Sequence, residues 1–598
     1  MRKAIIFTIG SMLMHLCLLG QRDFQIEVDA SQVIGAIEPL WGDHWEYHLL
    51  HGYGGNPSTD GPHQQYLADP NFASEMARLQ PRYIRHSIGA FTNPPSTDYY
   101  SADTTILKNL WTEFYRGANT LTAANEMSNY HFGYLDSLVK VMHAIGAEVF
   151  LVLDYMPFTL SSNKIPLPAG NHLLAWDNGI RTAPPSDVEV FGRVMYQVVK
   201  YAHEQLGVDY FEIWNEPDQF PLNTYFFKGT ATDLFEMYEA TIRNIEIDVP
   251  LADNIEIGCC SFALNSFLNL FPIDFLTRIR DNNVRLDFLS FHPYNSIGAG
   301  YSSESVEIAT QWRSDFVPEA DLINAEWGRL GFDFGTANWK SLEYGLDKAA
   351  AMIDMNNRGI KMAHAATLVS IDNDDGFFES CCIGIFEVNP IKPKGSAYTY
   401  FYLNRLLETP NRLMLDGTGS TNAIAGINET QTKIVIILSA PRPESDLNTV
   451  QLRVENLPWS GNSKIERYEL TEEQVADDDL HHLVFSTTGT EPLVSDSVTY
   501  EAVQDGGRLI VWEITKTDVT STRNFIAETV VYPNPSTGQV NIDADEKIKL
   551  VQVYAMNGVL IREEEADVAN YSMQLEKGIY LVKVFSRSSV DVQKICIY

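Results

Sequence analysis

The sequence predicts an α/β chain: a (β/α)8 TIM barrel, an accessory β-sandwich and a small C-terminal all-β domain. Three observations predict it. From about residue 39 to 395, short apolar runs alternate with helical patterns. From about 396 to 520 the helical spacing gives way to short alternating strands. After a polar stretch, the last seventy or so residues form another set of short strands.

The barrel rests on its strand count. The first apolar run lies near Leu40 and Trp41. The others fall at 83–85, 148–154, 210–214, 255–259, 286–291, 322–325 and 365–370. Helical patterns separate them, and the clearest runs from Asp187 to about Leu206. Ser186 and Glu189 there have capping-box spacing; Val188, Phe191, Val194, Met195 and Val198 form an apolar stripe; Gly207 ends it. Repeated strand–helix units imply parallel strands joined by right-handed crossovers, and eight of them imply closure. The alternative, an open doubly wound sheet, lacks a glycine-rich phosphate loop after its first strand.

The β-sandwich is read from runs such as 433–438 and 508–512, and the early strand-like run 24–28 is expected to join it. Residues 515–523 look like a linker. Beyond it, runs at 551–554 and 578–584 flank Asn557 and Gly558, a two-residue hairpin signal. At the other end, Arg2 and Lys3 precede an apolar stretch from Ala4 to Leu19, the pattern of an export signal. The expected segments are therefore a signal at 1–20, an N-terminal strand segment at 21–38, the barrel at 39–395, the sandwich at 396–520 and the last domain at 525–598.

Composition narrows the partners. A net charge of −35 argues against nucleic acid, which needs clustered Lys and Arg, and against anionic membranes. An acidic sugar stays open, because one or two Arg can bind its carboxylate. No membrane insertion is expected once the signal is removed, since no other stretch is long and apolar enough. Cys259, Cys260, Cys381, Cys382 and Cys596 remain after signal removal, and their pairing is not readable. No zinc spacing occurs, and neither a metal nor a cofactor is expected. The acidic run from Asp372 to Gly376 resembles a calcium loop, but its Gly falls one position early and no Glu closes it. Gly-x-Ser-x-Gly and His-Glu-x-x-His are absent, which speaks against a protease.

In a parallel barrel the strand C-termini form the active face. Glu216 follows the fourth run and Glu326 the seventh, on opposing walls of the mouth. Two carboxyl groups flanking one bond are what glycoside hydrolysis needs: one protonates the leaving oxygen, and the other attacks the anomeric carbon or activates water.

Trp214, Asn215, Glu216 and Pro217 in succession resemble the acid/base signature of the clan A glycoside hydrolases. Within the clan the chain is similar to glycoside hydrolase family 39, the β-xylosidase and α-L-iduronidase family. The likeness covers residues 24 to about 515. Residues 26–30 with 33–35 resemble that family's opening strand; Ile84, Arg85 and His86 resemble its second-strand Arg segment; 287–294 resemble its sixth strand; and Ala325, Glu326 and Trp327 resemble its nucleophile segment. The resemblance implies a retaining enzyme with Glu216 as acid/base and Glu326 as nucleophile. It implies Asn215 on the hydroxyl beside the anomeric carbon, Arg85 as a donor to Glu326, and Tyr294 as a hydrogen-bond partner of the nucleophile.

Other expected substrate contacts are His292, His44, His86 and Asp154, all near strand ends, with Trp327 and Trp214 as sugar platforms or packing. The chain departs from the clan in lacking a Trp across 365–371, a wall of the subsite for the non-reducing end. The expected function is hydrolysis of an oligosaccharide or polysaccharide, exo-acting and β-xylosidase-like. The alternatives are an endo-acting hydrolase of plant or algal polysaccharide and a catalytically silent sugar-binding barrel.

The last domain has its own likeness. Tyr532, Pro533, Asn534 and Pro535 with Gly538, then Met556, Asn557 and Gly558, then Gly578, Ile579 and Tyr580, resemble the C-terminal sorting domain of type IX secretion. That implies the type IX machinery as a partner and a secreted or surface-attached protein of a Gram-negative, Bacteroidetes-type cell. A small β-sandwich that binds carbohydrate or spaces the enzyme is the alternative.

Overall fold

The computed structural model describes residues 24–38, 41–44, 75–76, 78–88, 114–163, 181–219, 227–263, 270–294, 301–328, 341–366, 385–387, 392–440, 448–460, 463–476, 487–493, 498–504, 507–517, 529–532, 536, 538–555, 560–586 and 590–597. The signal segment, the Asp372–Gly376 run, Cys381, Cys382 and the turn at Asn557 lie outside the described residues. The chain forms two units, one of residues 1–65 and 79–516, the other of 66–78 and 517–598.

The first unit opens with β1 (Phe24–Ala36) and then builds a closed parallel barrel. Its strands are β2 (Trp41–His44), β3 (Tyr83–Ser87), β4 (Glu148–Leu153), β5 (Tyr210–Ile213), β6 (Glu256–Phe262), β7 (Phe288–Phe291), β8 (Asp321–Trp327) and β9 (Met362–Ala366). Each pairs with its sequence neighbour, and β2 pairs with β9 to close the ring. The eighth barrel strand begins at Met362, ahead of the apolar run at 365–370, because Ile323 and Asn324 of β8 pair with Met362 and Ala363. Pairing to a neighbour fixed its start, and hydropathy did not.

Between strands run α1 (Gly133–Ala144), α2 (Val188–Leu206), α3 (Ala231–Glu246), α4 (Phe271–Asn282), α5 (Ser303–Phe316) and α6 (Leu342–Asn357). The start of α2 differs from the sequence expectation. Asp187, not Ser186, is the cap: its carboxylate accepts the Glu189 and Val190 N–H groups at 3.0 and 3.2 Å. Ser186 instead donates to the Leu160 carbonyl at 3.1 Å. Gly207 closes the helix at φ 71°, a left-handed conformation that glycine adopts without strain. The full capping box sits on α3, where Thr230 and Asp233 satisfy each other's N–H groups. Gly192 lets α2 meet α3, since a Cβ there would lie 2.6 Å from the Ala240 carbonyl carbon.

Inside the barrel Tyr83, Phe150, Val152, Phe288, Ile323, Ala325 and Met362 make one apolar cluster. These inward side chains plug the lower barrel, so polar groups can gather only above them, at the strand C-termini.

The accessory layer is a curled mixed sheet of nine strands around its own apolar core. After α7 (Gly395–Leu403) come β12 (Asn411–Asp416), β13 (Ala423–Ile427), β14 (Lys433–Ala440), β15 (Asn448–Glu455), β16 (Ser463–Thr471), β17 (Thr487–Leu493), β18 (Val498–Gln504) and β19 (Arg508–Lys516); a two-residue ladder, β10 (Phe386–Glu387) with β11 (Lys392–Pro393), precedes α7. The N-terminal strand β1 lies between β12, antiparallel, and β15, parallel. Its buried face alternates through Phe24, Ile26, Val28 and Ala30. The sheet grips α6: Ser439 Oγ donates to the Leu346 carbonyl at 2.7 Å, and the Leu342 N–H donates to Glu472 at 2.9 Å. That contact steadies the helix that follows β8.

The second unit holds a five-stranded antiparallel sheet: β20 (Thr529–Tyr532), β21 (Gln539–Ala555), β22 (Leu560–Gln574), β23 (Gly578–Phe585) and β24 (Val590–Ile597). Val540, Ile542, Val551, Val553, Val582, Val584 and Ile595 form its core. Among the described residues no helix is long and apolar enough to cross a membrane.

Candidate active site

Two opposite charges stand in the middle of apolar strands. Arg85 on β3 and Glu212 on β5 both point inward and are fully buried, at 1% and 0% exposure. Isolated, either charge would cost several kcal/mol. Together they pair: Glu212 Oε2 accepts from Arg85 Nε at 3.0 Å and Nη2 at 2.7 Å. Ser261 Oγ donates to Glu212 Oε1 at 2.5 Å. Arg85 Nη2 also donates to Asn215 Oδ1 at 2.7 Å and Ser261 Oγ at 3.0 Å. Its Nη1 lies 3.7 Å from Glu326 Oε1. Burial alone would lower the guanidinium pKa, but the charges of Glu212, Glu326 and Asp154 hold it above its ordinary value.

Above this pair the predicted carboxyls face each other. Glu216, in the turn after β5, lies with its Oε1 2.8 Å from His292 Nδ1. The same nitrogen is 3.2 Å from Glu326 Oε2. One polar atom from each of Glu216, His292 and Glu326 lies within 4.8 Å of the others. His292 follows β7, and its backbone N–H donates to the Phe262 carbonyl at 2.9 Å, which ties it to the end of β6.

A local irregularity aims Glu326. Ile323 and Ala325 face the barrel interior, so strict alternation would turn Glu326 outward to the helices. The pairing of β8 with β9 slips by one residue between Asn324 and Trp327, a bulge that swings Glu326 into the mouth. A second slip, on β6 between Cys259 and Phe262, brings Ser261 to Glu212. Gly258 makes room beside it, because a Cβ would meet Phe288 at 2.3 Å. Tyr155, Trp214, Glu216 and Ser261 all have φ between 44° and 70°. Such conformations cost on the order of 1 kcal/mol or more each, and they cluster where function needs them.

Asp218, two residues past Glu216, completes the cluster. Its Oδ1 accepts the Ala263 N–H at 2.9 Å. Burial pushes its pKa up to about 6; the Glu216 charge adds to the rise, and the Ala263 hydrogen bond opposes it.

The other expected contacts spread around the mouth. His86 is buried beside Arg85 on β3, and Asp154, buried past β4, accepts from the Ser87 hydroxyl. Tyr294 stands edge-on to His292, with ring centres 5.9 Å apart. Trp214 and Trp327 are each 1% exposed. Trp214 packs on Phe227 at 4.9 Å, and Trp327 packs on Tyr301 with the Lys348 ammonium 5.2 Å from its ring. Both are therefore packed rather than open platforms. The backbone of His44 ends β2 at the same face, level with Arg85 in the ladder; Trp45 and Glu46 lie outside the described residues. The missing Trp concerns 365–371, of which 367–371 also lie outside them. Glu212, Ser261 and Asp218 were not singled out from the sequence. The charged Glu212 within the apolar run from Tyr210 to Ile213 was the signal available for it.

Glu216, His292 and Glu326 have donor types that bind divalent cations, but Glu216 and His292 are already in direct contact, and Glu326 lies 3.2 Å from the same nitrogen. A separation of 2.8 Å between Glu216 and His292 is a direct hydrogen bond, and Arg85 adds a fixed positive charge 3.7 Å from Glu326.

The family model described as glycosyl hydrolases family 39 matches residues 106–321, a span covering β4 to β7 and the Glu216 motif. Residues 106–321 carry the match to a family 39 glycosyl hydrolase domain. The family consists of retaining clan A glycosidases. The secretion system C-terminal sorting domain model matches residues 530–598, which marks the protein for type IX secretion to the cell surface or beyond in a Bacteroidetes-type cell.

β-Xylosidases of Caldicellulosiruptor saccharolyticus and Geobacillus stearothermophilus are each 26% identical, over 186 and 172 residues. These alignments take in 30% and 28% of this chain and 34% and 31% of the relatives, so the chain matches about a third of the length of its curated relatives. Solved structures share the fold. A family 39 enzyme from Xanthomonas axonopodis pv. citri superposes with a TM-score of 0.56 at 15% identity, over 83% of this chain and 98% of its own. A glucosidase from Croceicoccus marinus gives 0.55 at 19%, over 83% and 100%. A bacterial orthologue of human α-L-iduronidase gives 0.55 at 12%, over 96% and 100%.

Proposed function

We propose that this protein is a secreted retaining glycoside hydrolase, exo-acting and β-xylosidase-like, with Glu216 as acid/base and Glu326 as nucleophile. The carrying observation is the placement of oxygens of Glu216 and Glu326 within 4.8 Å of one another. Retaining enzymes hold their carboxyls about 5–5.5 Å apart, whereas inverting ones need about 6.5–9.5 Å to admit a water. The distant β-xylosidase relatives favour the sugar class.

The chemistry follows from the contacts. Glu216 Oε1 is held 2.8 Å from His292 Nδ1, and Oε2 is assigned in this reading to deliver the proton to the leaving oxygen. Glu326, ionised and facing Arg85, attacks the anomeric carbon as the glycosidic bond breaks. Glu216, now ionised, takes a proton from water, and that water releases the sugar from Glu326 with the configuration restored. Arg85 orients Asn215 by its oxygen, which turns the amide nitrogen toward the hydroxyl beside the anomeric carbon.

The test is a panel of aryl glycosides, including xyloside, arabinoside, galactoside and iduronide, on wild type and Glu326→Gln. The expected result is turnover of one member by wild type and its loss in the variant. No turnover by wild type, with equal sugar binding by both proteins, would leave a silent binding barrel.

A further inference from the structure

Resting on that reading, we propose that Glu212 is a positioning residue: it holds Arg85 off the nucleophile and offsets part of the guanidinium charge that Glu326 feels. The observation behind it is an asymmetry in the bonds of Arg85. The Nε and Nη2 edge is committed to Glu212, with Asn215 and Ser261 sharing Nη2. Only Nη1 faces Glu326, and at 3.7 Å it is beyond hydrogen-bond distance.

A guanidinium beside two carboxylates tends to take one of them in a two-pronged grip. Here Glu212 occupies the prongs. With that grip released, Arg85 would swing the short distance to Glu326 and tie up the oxygens that must attack. Its full charge would also make Glu326 a weaker base and a poorer nucleophile. Glu212 is fixed in turn by Ser261 Oγ at 2.5 Å, and Ser261 by its own N–H on Ser290 Oγ at 2.9 Å. One chain of contacts therefore runs from β7 through β6 and β5 to β3, and ends at the nucleophile on β8.

Charge gives the test. Among the described residues, the charged and titratable groups around this chain are Arg85 and His86 on β3, Asp154 after β4, Glu216 and Asp218 after β5, His292 and Tyr294 after β7 and Glu326 on β8; β6 and β7 add the hydroxyls of Ser261 and Ser290. Glu212→Gln alters none of these. Its amide oxygen can take both Arg85 bonds, and its amide nitrogen can donate to Ser261 Oγ. The variant then adds one net positive charge beneath Glu326 and changes little else.

The expected result is that the acid limb of kcat/KM moves down by about one pH unit, as Coulomb attraction through a protein medium predicts. Above that limb kcat falls by up to about tenfold, the most that one unit of lost basicity can cost, and KM stays within about threefold. Glu212→Asp keeps the charge but shortens the reach, so it lowers kcat by letting Arg85 swing toward Glu326. An unmoved acid limb in folded Glu212→Gln overturns the proposal. If that variant does not fold, unchanged kcat in Glu212→Asp overturns it instead. A second readout needs no turnover: carbodiimide modification of Glu326 against pH, located by peptide mass spectrometry. Its midpoint falls by about one unit in Glu212→Gln if the proposal holds, and stays put if it does not. That separates a failure here from a failure of the glycosidase reading, which the wild-type panel decides.

Discussion

Replacing Asp218 with Asn should make the barrel more stable at neutral pH while leaving it unchanged in acid. The side chain is 7% exposed, and its pKa is pushed from 3.8 up to about 6. A folded-state value above the unfolded one means that the folded chain holds the proton more tightly. Between about pH 4 and 6 the folded state therefore binds more protons than the unfolded state, and stability falls as pH rises through that window. The gap of roughly 2 units corresponds to about 3 kcal/mol by pH 7, at about 1.4 kcal/mol per unit. Asn keeps an oxygen for the Ala263 N–H, bonded at 2.9 Å, and adds no charge. The assay is calorimetric Tm of wild type and D218N from pH 3.5 to 7.5. The two should melt together at the acid end and separate by a few degrees across pH 4 to 6, with the variant higher. A separation that does not change with pH would refute the linkage. The Glu216 charge helps to raise Asp218, and since repulsion between like charges is mutual, removing the Asp218 carboxylate should also move the basic limb of kcat/KM to lower pH in D218N.

Glu216→Ala should lower kcat by about 10²–10⁴-fold on substrates whose leaving group needs a proton. It should cost far less on dinitrophenyl glycosides, and added azide should restore turnover as glycosyl azide, detected by chromatography. Arg85→Met leaves Glu212 buried without its cation, so urea unfolding should show a loss of about 3–5 kcal/mol. Incubation with a chelator should leave kcat unchanged, because Glu216 is hydrogen-bonded to His292 and Glu326 is paired with His292 and Arg85. Deleting residues 525–598 should keep the protein out of the medium in its own type of cell, shown by immunoblot of fractions, with glycosidase activity retained in the lysate.

Much of the barrel was legible because its elements are long and periodic. The stripe of α2 and its closing Gly207 fixed that helix to within a residue, and only the cap moved, from Ser186 to Asp187. The β9 strand was displaced because His364 interrupts its apolar run, and its place is set by pairing with β8. The two carboxyls could be named from their strand ends and from the motif around Trp214. The manner of their meeting could not. It depends on one-residue slips at Asn324–Trp327 and Cys259–Phe262, which leave no mark on local hydropathy. Glu212 and Arg85 show the converse case. Each is an ionised residue inside an apolar strand, a conflict visible in the sequence, yet only the closed ring reveals that they answer each other across β4.

The most direct test of retention through Glu326 is to catch the covalent intermediate. Glu216→Ala should slow release of the sugar, so that mixing it with the dinitrophenyl glycoside of the sugar that wild type hydrolyses accumulates a glycosyl-enzyme. Peptide mass spectrometry of the quenched digest should place one sugar unit on Glu326. An adduct on another residue, or no adduct while the released sugar has inverted configuration, would contradict it.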